Sequence, residues 1–327
     1  MSATPAPVRV DAHLTPADLA AALEDDVREG LAAEPPTLPP KWFYDDRGSE
    51  LFDAITRLDA YYPYRRERAI LTAVASEIAT RAAPDTVIEL GSGTSDKSRL
   101  LRDAVAATGR LTRIVPFAVS EGILRWSAAV LAERYPGVEV HGIVGDFDRH
   151  LGSLPTGGRR LVAFLGGTIG NLEPPARARF LATLAGVLAP GDALLLGTDL
   201  VKDEGRLVAA YDDPEGVTAE FNRNVLRVLA RELGAKVDVD GWAHVARWNA
   251  AEEWIEMWLR ADGEQLIAVP SIGVERTFAD GESLRTEISA KFRRQGVERE
   301  LDAAGFALDR WWTDAAGDFG VSLAVVP

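Results

Sequence analysis

The hydrophobic and polar positions divide the chain into stretches of different period. Residues Thr15 to Ala32 carry apolar side chains at helical spacing, with Thr15 placed to cap and Pro16 to open the first turn, which predicts an amphipathic helix. Pro35-Pro36 and Pro39-Pro40 then form a stiff linker. Between Lys41 and Ala82 an aromatic-rich stretch (Trp42, Phe43, Tyr44, Phe52, Tyr61, Tyr62, Tyr64) leads into a helix through Ile70, Leu71, Val74 and Ile78. From Asp85 short β-branched runs alternate with helical ones, the signature of a parallel sheet with crossover helices. Strands are predicted at Thr86 to Leu90, Arg113 to Val119, Glu139 to Val144, Arg160 to Leu165 and Ala193 to Thr198, and helices near Ser98 to Ala107, Ile123 to Arg134, Pro175 to Leu188 and Glu204 to Ala210. Runs such as Leu161-Val162-Ala163-Phe164-Leu165 are nearly unbroken, as in a sheet covered on both faces. Beyond residue 212 the pattern changes to a long helix, Ala219 to Leu233, two strands, Glu253 to Ala261 and Leu284 to Phe292, and an apolar run around Ile267 to Phe278. A helix, Gly296 to Ala304, and a last pair of strands, Ala307 to Thr313 and Gly320 to Val326, close the chain.

Composition narrows the chemistry. With 36 basic against 50 acidic residues the net charge is −14, which repels a phosphate backbone or an anionic membrane surface. Neither nucleic acid nor a membrane is therefore expected as a partner. No cysteine is present, and the four histidines (His13, His141, His150, His244) are scattered, so thiolate metal clusters, disulfides and cysteine nucleophiles are excluded. The first thirty residues hold no apolar run, and a cytoplasmic location is expected. One core and one lid account for the apolar residues, so a monomer is expected.

Val87-Ile88-Glu89-Leu90-Gly91-Ser92-Gly93-Thr94-Ser95-Asp96-Lys97 reads as a strand entering a G-x-G turn and then a helix. Glycine lets the backbone turn sharply and approach a ligand that a Cβ would block. A dinucleotide site wants a third glycine where Asp96 stands, and an acid is poorly placed beside a pyrophosphate. A nucleoside cofactor without phosphate suits this turn, and S-adenosylmethionine, with its zwitterionic amino-acid end, is the one expected. Gly91, Ser92 and Gly93 would approach it through their backbone and Lys97 through its charge. The second strand ends in Ala118, where an acid commonly takes the ribose hydroxyls, and an acid follows only at Glu121. After the third strand, Asp146 and Phe147 suit the amino group and ring face of adenine. Asp146, Asp148 and His150 could instead be metal ligands, but nothing else supplies a cluster, so no metal is expected.

Several motifs carry a resemblance across nearly the whole chain. Pro40-Lys41-Trp42-Phe43-Tyr44-Asp45, Tyr61-Tyr62-Pro63, Glu89-Leu90-Gly91-Ser92-Gly93-Thr94, Phe164-Leu165-Gly166-Gly167-Thr168-Ile169-Gly170-Asn171, Gly197-Thr198-Asp199-Leu200-Val201-Lys202-Asp203, Tyr211-Asp212-Asp213, Phe221-Asn222-Arg223-Asn224, Glu256-Met257 and Glu287-Ile288-Ser289 resemble the histidine Nα-methyltransferases of ergothioneine biosynthesis. The resemblance implies that L-histidine is trimethylated to hercynine by three S-adenosylmethionine molecules in succession. It implies that Asn171 and Tyr211 hold the α-amino and α-carboxylate end, with Tyr61 near the amine, and that these three serve catalysis by positioning. Taken alone, Asn171 could equally be the cap of the helix at Pro174-Pro175, and each tyrosine a core residue. Tyr44 is expected beside the cofactor and the growing quaternary nitrogen.

Glu287 and Ser289, two apart in a strand, share one face, and an acid beside a hydroxyl matches the donor and acceptor nitrogens of an imidazole. A solvated strand face ending at Lys291 is the competing reading. Met257 is expected as an apolar wall. The fold class expected is α/β: a doubly wound, Rossmann-like methyltransferase sheet with an antiparallel C-terminal hairpin, plus a smaller α+β substrate-binding or lid domain. Residues 1–84 would form a helical arm and aromatic lid segment, 85–211 with 295–327 the core, and 212–294 an inserted substrate-binding domain. Another amine methyltransferase, a non-catalytic adenosylmethionine-binding module and, disfavoured by Asp96, a nicotinamide oxidoreductase remain as alternatives.

Overall fold

The β-branched runs after Asp85 become parallel strands of one sheet in a computed structural model, which describes residues 8–91 and 96–327. The chain forms two compact units, and strands and helices are numbered along its whole length. The first unit comprises residues 1–15, 65–200 and 292–327, the second 16–64 and 201–291. These divisions differ from the pattern-based ones, which set boundaries after residues 84, 211 and 294.

In the first unit the strands are β1 (Val8–Ala12), β2 (Thr86–Leu90), β3 (Arg113–Ala118), β4 (Glu139–Val144), β5 (Arg160–Phe164), β6 (Ala193–Asp199), β12 (Ala307–Thr313) and β13 (Phe319–Val325). They lie in the order β1-β4-β3-β2-β5-β6-β13-β12. The strands from β1 to β6 pair in parallel, whereas β13 runs antiparallel to β6 and β12 antiparallel to β13. The expected doubly wound sheet with its reversed C-terminal hairpin is thus present. β1 is a correction: the N-terminal segment was expected to be helical, yet Val8 to Ala12 add an edge strand beside β4. Its crossover helices are α4 (Asp96–Ala107), α5 (Glu121–Arg134), the short α6 (Phe147–His150), α7 (Pro174–Val187) and α10 (Arg294–Ala303), with α3 (Tyr62–Ala82) preceding β2. β2, β5 and β6 are buried along their entire length, which is why their sequences lack alternation. Strand order reverses between β2 and β5, and in open α/β sheets ligands bind outside the carboxyl ends at such a switch point.

The second unit contains α1 (Pro16–Ala32), α2 (Asp46–Ile55), α8 (Glu204–Ala209), α9 (Val217–Leu233), β7 (Trp242–Asn249), β8 (Trp254–Ala261), β9 (Gln265–Val269), β10 (Val274–Phe278) and β11 (Ser283–Ala290). β11, β8 and β7 form an antiparallel sheet, so the expected pair gains a third strand, and the apolar run at Ile267 to Phe278 is a hairpin of β9 and β10. α9 buries Phe221, Val225, Leu226, Val228 and Leu229 in a core shared with Leu23 and Val27 of α1 and with Ile255, Met257 and Leu259 of β8. Between Arg285 and Glu287 the register of β11 on β8 shifts, leaving Thr286 as the extra residue of a bulge.

Candidate active site

The glycine turn leaves β2 at Gly91, which adopts φ +73°, a left-handed conformation that glycine supplies without strain. Its amide donates to the Phe117 carbonyl at 3.0 Å, tying the turn to β3. Among the described residues, none comes within 4 Å of a Cβ added here. Ser92 and Gly93, the other glycine-loop residues expected to bind cofactor, lie outside the described residues.

Beneath the turn sit two buried polar clusters. Glu89 accepts from Ser98 and, at 2.7 Å, from Arg102 Nη1, which fixes the first turns of α4 on the end of β2. Lys97 was expected to face the cofactor. In the structure its ammonium pairs with the carboxylate of Glu67 on α3. Glu67 is fully buried and also accepts from the Gly166 amide, at 2.9 and 3.0 Å from its two oxygens. Gly197 passes against this carboxylate so closely that a Cβ would collide with it. One acid therefore joins α3, α4 and the loop after β5. Little in the chain marks this role in advance, since Glu67 lies among Arg65, Arg66 and Arg68 and reads as surface.

Asp146 caps α6, accepting from the Asp148 amide at 2.9 Å, and remains half-buried. Phe147 packs edge-on against Phe164 and Phe180 at centroid distances of 5.5 and 5.6 Å, so part of its ring belongs to the core. Asn171 ends the turn Thr168–Asn171 after β5. The capping alternative fails: the residue before α7 is Glu173, and no side chain caps that helix. Ala118 is the last residue of β3, Ser120 caps α5, and Glu121 pairs with Arg125 on the surface.

Of the substrate residues expected from the sequence, Tyr61, Tyr211, Met257, Glu287 and Ser289 lie in the second unit, whereas Asn171 lies in the first. Tyr211 Oη lies 2.7 Å from Ser289 Oγ, and Lys291 Nζ donates to both at 2.8 Å. Tyr61 packs edge-on against Tyr211 with centroids 6.2 Å apart. Tyr44 contacts Phe221 and Phe52 in the same way at 5.4 and 5.6 Å. Met257 on β8 is paired with Glu287 on β11. Glu287, Ser289 and Lys291 are all buried, which rules out the solvated strand face. Burial pushes the Glu287 carboxyl up to about 8, against the opposing charge of Lys291. The Tyr44 phenol is held above its ordinary value by burial first and then by Glu287 and Tyr211.

Buried polar residues hold these groups in place: Asn222 and Asn224, from a motif already quoted, and His244, for which the sequence suggested no role. His244 Nε2 is 2.8 Å from the Tyr211 carbonyl and its Nδ1 is 2.8 Å from Asn222 Nδ2. With an amide donor facing Nδ1, the ring is neutral with its proton on Nε2, and burial lowers its pKa accordingly. Asn222 also donates to the Trp258 carbonyl at 3.0 Å and accepts from the bulged Thr286 at 2.6 Å. Asn224, two residues on, donates to the Phe43 carbonyl and to Asp45, anchoring the backbone on either side of Tyr44. The run Phe221-Asn222-Arg223-Asn224 thus braces Tyr44, Tyr211 and Glu287 together.

A switch-point glycine turn, a parallel sheet with a reversed final hairpin, and a buried acid–hydroxyl–ammonium cluster define an α/β enzyme built for a nucleoside cofactor and a small polar substrate. The model of the S-adenosylmethionine-dependent, histidine-specific methyltransferase family matches residues 23–326, and the chain belongs to that family. It is similar to a histidine N-alpha-methyltransferase of Mycobacterium tuberculosis, with 59% identity over 303 residues covering 93% of this chain and 94% of that one. A histidine N-alpha-methyltransferase of Mycolicibacterium smegmatis is 57% identical over 315 residues, covering 96% and 98%. An ergothioneine biosynthesis protein 1 of Neurospora crassa is 30% identical over 301 residues, covering 88% of this chain and 33% of that longer one. The protein is a methyl-transferring enzyme with S-adenosylmethionine as its cofactor, as the glycine turn led one to expect.

Proposed function

We propose that the enzyme methylates the α-amino nitrogen of L-histidine three times in succession, giving hercynine as the first step of ergothioneine biosynthesis. The observation that carries this reading is the buried cluster of Glu287, Ser289, Tyr211 and Lys291. An acceptor and a hydroxyl on one strand face suit the two nitrogens of an imidazole and offer nothing to an apolar side chain. Unpaired, they would penalise any substrate lacking those nitrogens. The names of the relatives point to the same substrate and, for the fungal one, the same pathway.

In this reading Gly91, Ser92 and Gly93 approach the cofactor through their backbone, and Asp146 and Phe147 read its adenine. Lys97, paired with Glu67, fixes the helix that follows the turn. When bound, S-adenosylmethionine supplies the methyl group from its sulfonium. Asn171 and Tyr211 hold the amino-acid end of histidine, Tyr61 lies near its amine, and Met257 walls the ring. Positioning is the main catalytic task, since holding the reacting atoms at about 3–3.5 Å in alignment is worth about 7–11 kcal/mol. The aromatic faces of Tyr44 and Tyr61 stabilise the nitrogen as it becomes quaternary.

The test is incubation of the purified protein with methyl-labelled S-adenosylmethionine and each of the twenty amino acids. Label passing to histidine alone, with mass spectrometry showing the trimethylated product, is the expected result. Transfer to another amino acid, or to none, would overturn the assignment.

A further inference from the structure

Lys291 ends the strand face that carries Glu287 and Ser289, and its burial needs a reason. An ammonium taken out of water costs several kcal/mol unless hydrogen bonds and an opposite charge compensate it. Lys291 is 4% exposed, and its Nζ, Tyr211 Oη and Ser289 Oγ form a closed triangle with sides of 2.8, 2.8 and 2.7 Å. The same ammonium lies 4.6 Å from the Tyr211 ring centroid.

The hydrogens of this triangle can be assigned. Lys291 has donors and no acceptor, so both hydroxyl oxygens must receive from it. The edge between the hydroxyls consumes one of their two hydrogens, and the other leaves the triangle. When a bare ring nitrogen approaches Ser289, the chain settles as Lys291 to Tyr211 to Ser289 to nitrogen, and each bond polarises the next. The Glu287 carboxyl, on the same face, feels Lys291, which directly follows its strand, and acts on Tyr44 from the segment after Pro40–Phe43, a phenol that also feels Tyr211 from the segment after α8. The β8 residue paired with it, Met257, is apolar, so Lys291 is the positive charge acting on it.

We propose that Lys291 is a positioning residue for substrate recognition: its ammonium aims the Ser289 hydroxyl hydrogen at the substrate ring and is the counter-charge that favours the acceptor form of Glu287, so that the pair receives a neutral imidazole. The proposal rests on the histidine reading above and adds to it the group that gives Glu287 and Ser289 opposite roles. Burial alone would drive the Glu287 carboxyl higher than it stands, and Lys291 opposes this. Without that charge Glu287 would hold its proton to higher pH and would present a hydroxyl where the ring N–H needs an acceptor.

The experiment measures kcat/KM for histidine from about pH 6 to about pH 9.5 in wild type, Lys291→Met, Lys291→Arg and Glu287→Gln, each expressed as a ratio to wild type so that the substrate's own ionisations cancel. For Lys291→Met the ratio should fall by about tenfold or more as pH drops from 9.5 to 7, the consequence of a shift of one pKa unit or more. Affinity for S-adenosylhomocysteine should be unchanged, and Lys291→Arg should restore most of the wild-type profile. The Glu287→Gln ratio should rise as pH falls, because wild type alone loses a carboxylate there. A Lys291→Met ratio constant with pH would mean that the lysine only supports packing and would overturn the proposal. A pH-independent Glu287→Gln ratio would do the same, and needs no Lys291 variant that folds. If wild type does not methylate histidine at all, the functional reading fails first; an active wild type with flat ratios sinks the Lys291 proposal alone.

Discussion

Replacing Glu67 by glutamine probes the buried ion pair that joins α3, α4 and the loop after β5. The side chain keeps its size but loses its charge, and its new amide group turns a donor toward either the Lys97 ammonium or the Gly166 amide, both of which are donors. Lys97, 5% exposed, then loses the carboxylate that Glu67 gives it. Removing one partner of such a pair costs about 3–5 kcal/mol. At about 2–4 °C per kcal/mol for a unit of this size, the melting temperature should fall by roughly 6–20 °C. Differential scanning fluorimetry of the ligand-free protein gives this directly, alongside Lys97→Met and the double variant. Neutralising both partners removes the Lys97 charge as well, so the double should melt well above either single variant, a coupling that a cycle of the four proteins quantifies. Titration with S-adenosylhomocysteine separates the two roles open to Lys97. If it only balances Glu67, affinity in the double variant returns with stability; if it grips the cofactor, affinity stays low after stability is regained. A loss below about 2 °C for Glu67→Gln, or strict additivity in the double, would refute the clamp.

Three further outcomes are expected. Because the folded Glu287 carboxyl sits at about 8 against 4.5 unfolded, the folded state keeps a proton that the unfolded state has lost between those values, so this group lowers stability as pH rises through that window. Glu287→Gln should therefore melt several degrees above wild type at pH 9 and match it near pH 4; equal melting at pH 9 would show that the acid is not costly to bury. Thr286→Val removes the donor to Asn222 Oδ1 and the Met257 carbonyl, which should cost about 1–3 kcal/mol and raise KM for histidine with cofactor affinity unchanged, as denaturation and steady-state kinetics would show. Ala118→Asp puts an acid at the carboxyl end of β3, where ribose hydroxyls are commonly held, and should tighten S-adenosylmethionine binding in calorimetry; a weaker affinity would assign that task to Ser120 or Glu121.

The sheet was legible because strands covered on both faces declare themselves as nearly unbroken apolar runs: β2 begins and ends at the expected residues, and β5 and β6 start where expected and end within one residue of it. β1 escaped because Val8-Arg9-Val10-Asp11-Ala12 is short and half-charged, and only its pairing with β4 makes it a strand. β7 escaped for a related reason. Trp242 to Asn249 mixes aromatic, basic and small residues, and just two of its positions are buried. Tyr211, Glu287 and Ser289 could be picked out from motif and alternation, since their spacing survives in the sequence. The roles of their partners could not. Asn222 stood only within a motif and Lys291 only at the end of a strand face, and what marks them, His244 and, in the first unit, Glu67 is hydrogen bonding that exists only once the chain has folded.

The bulge in β11 sorts charges between the two sides of a sheet. Strict alternation counted back from Lys291 through Ser289 and Glu287 would bring Arg285 to the same side, giving one acid two cations to face in a buried space. The extra residue at Thr286 reverses the parity, so that Arg285 is paired with Trp258 and acts on Glu256 while Glu287 is paired with Met257. Each side then carries its own balance: Glu256 with Arg285 and its asparagine and indole donors, and Glu287 with Lys291. Adding one residue to β8 between Met257 and Trp258 would remove no group from the chemistry, but it would absorb the bulge, restore strict alternation along β11 and place a second positive charge beside the acid meant to receive a neutral ring.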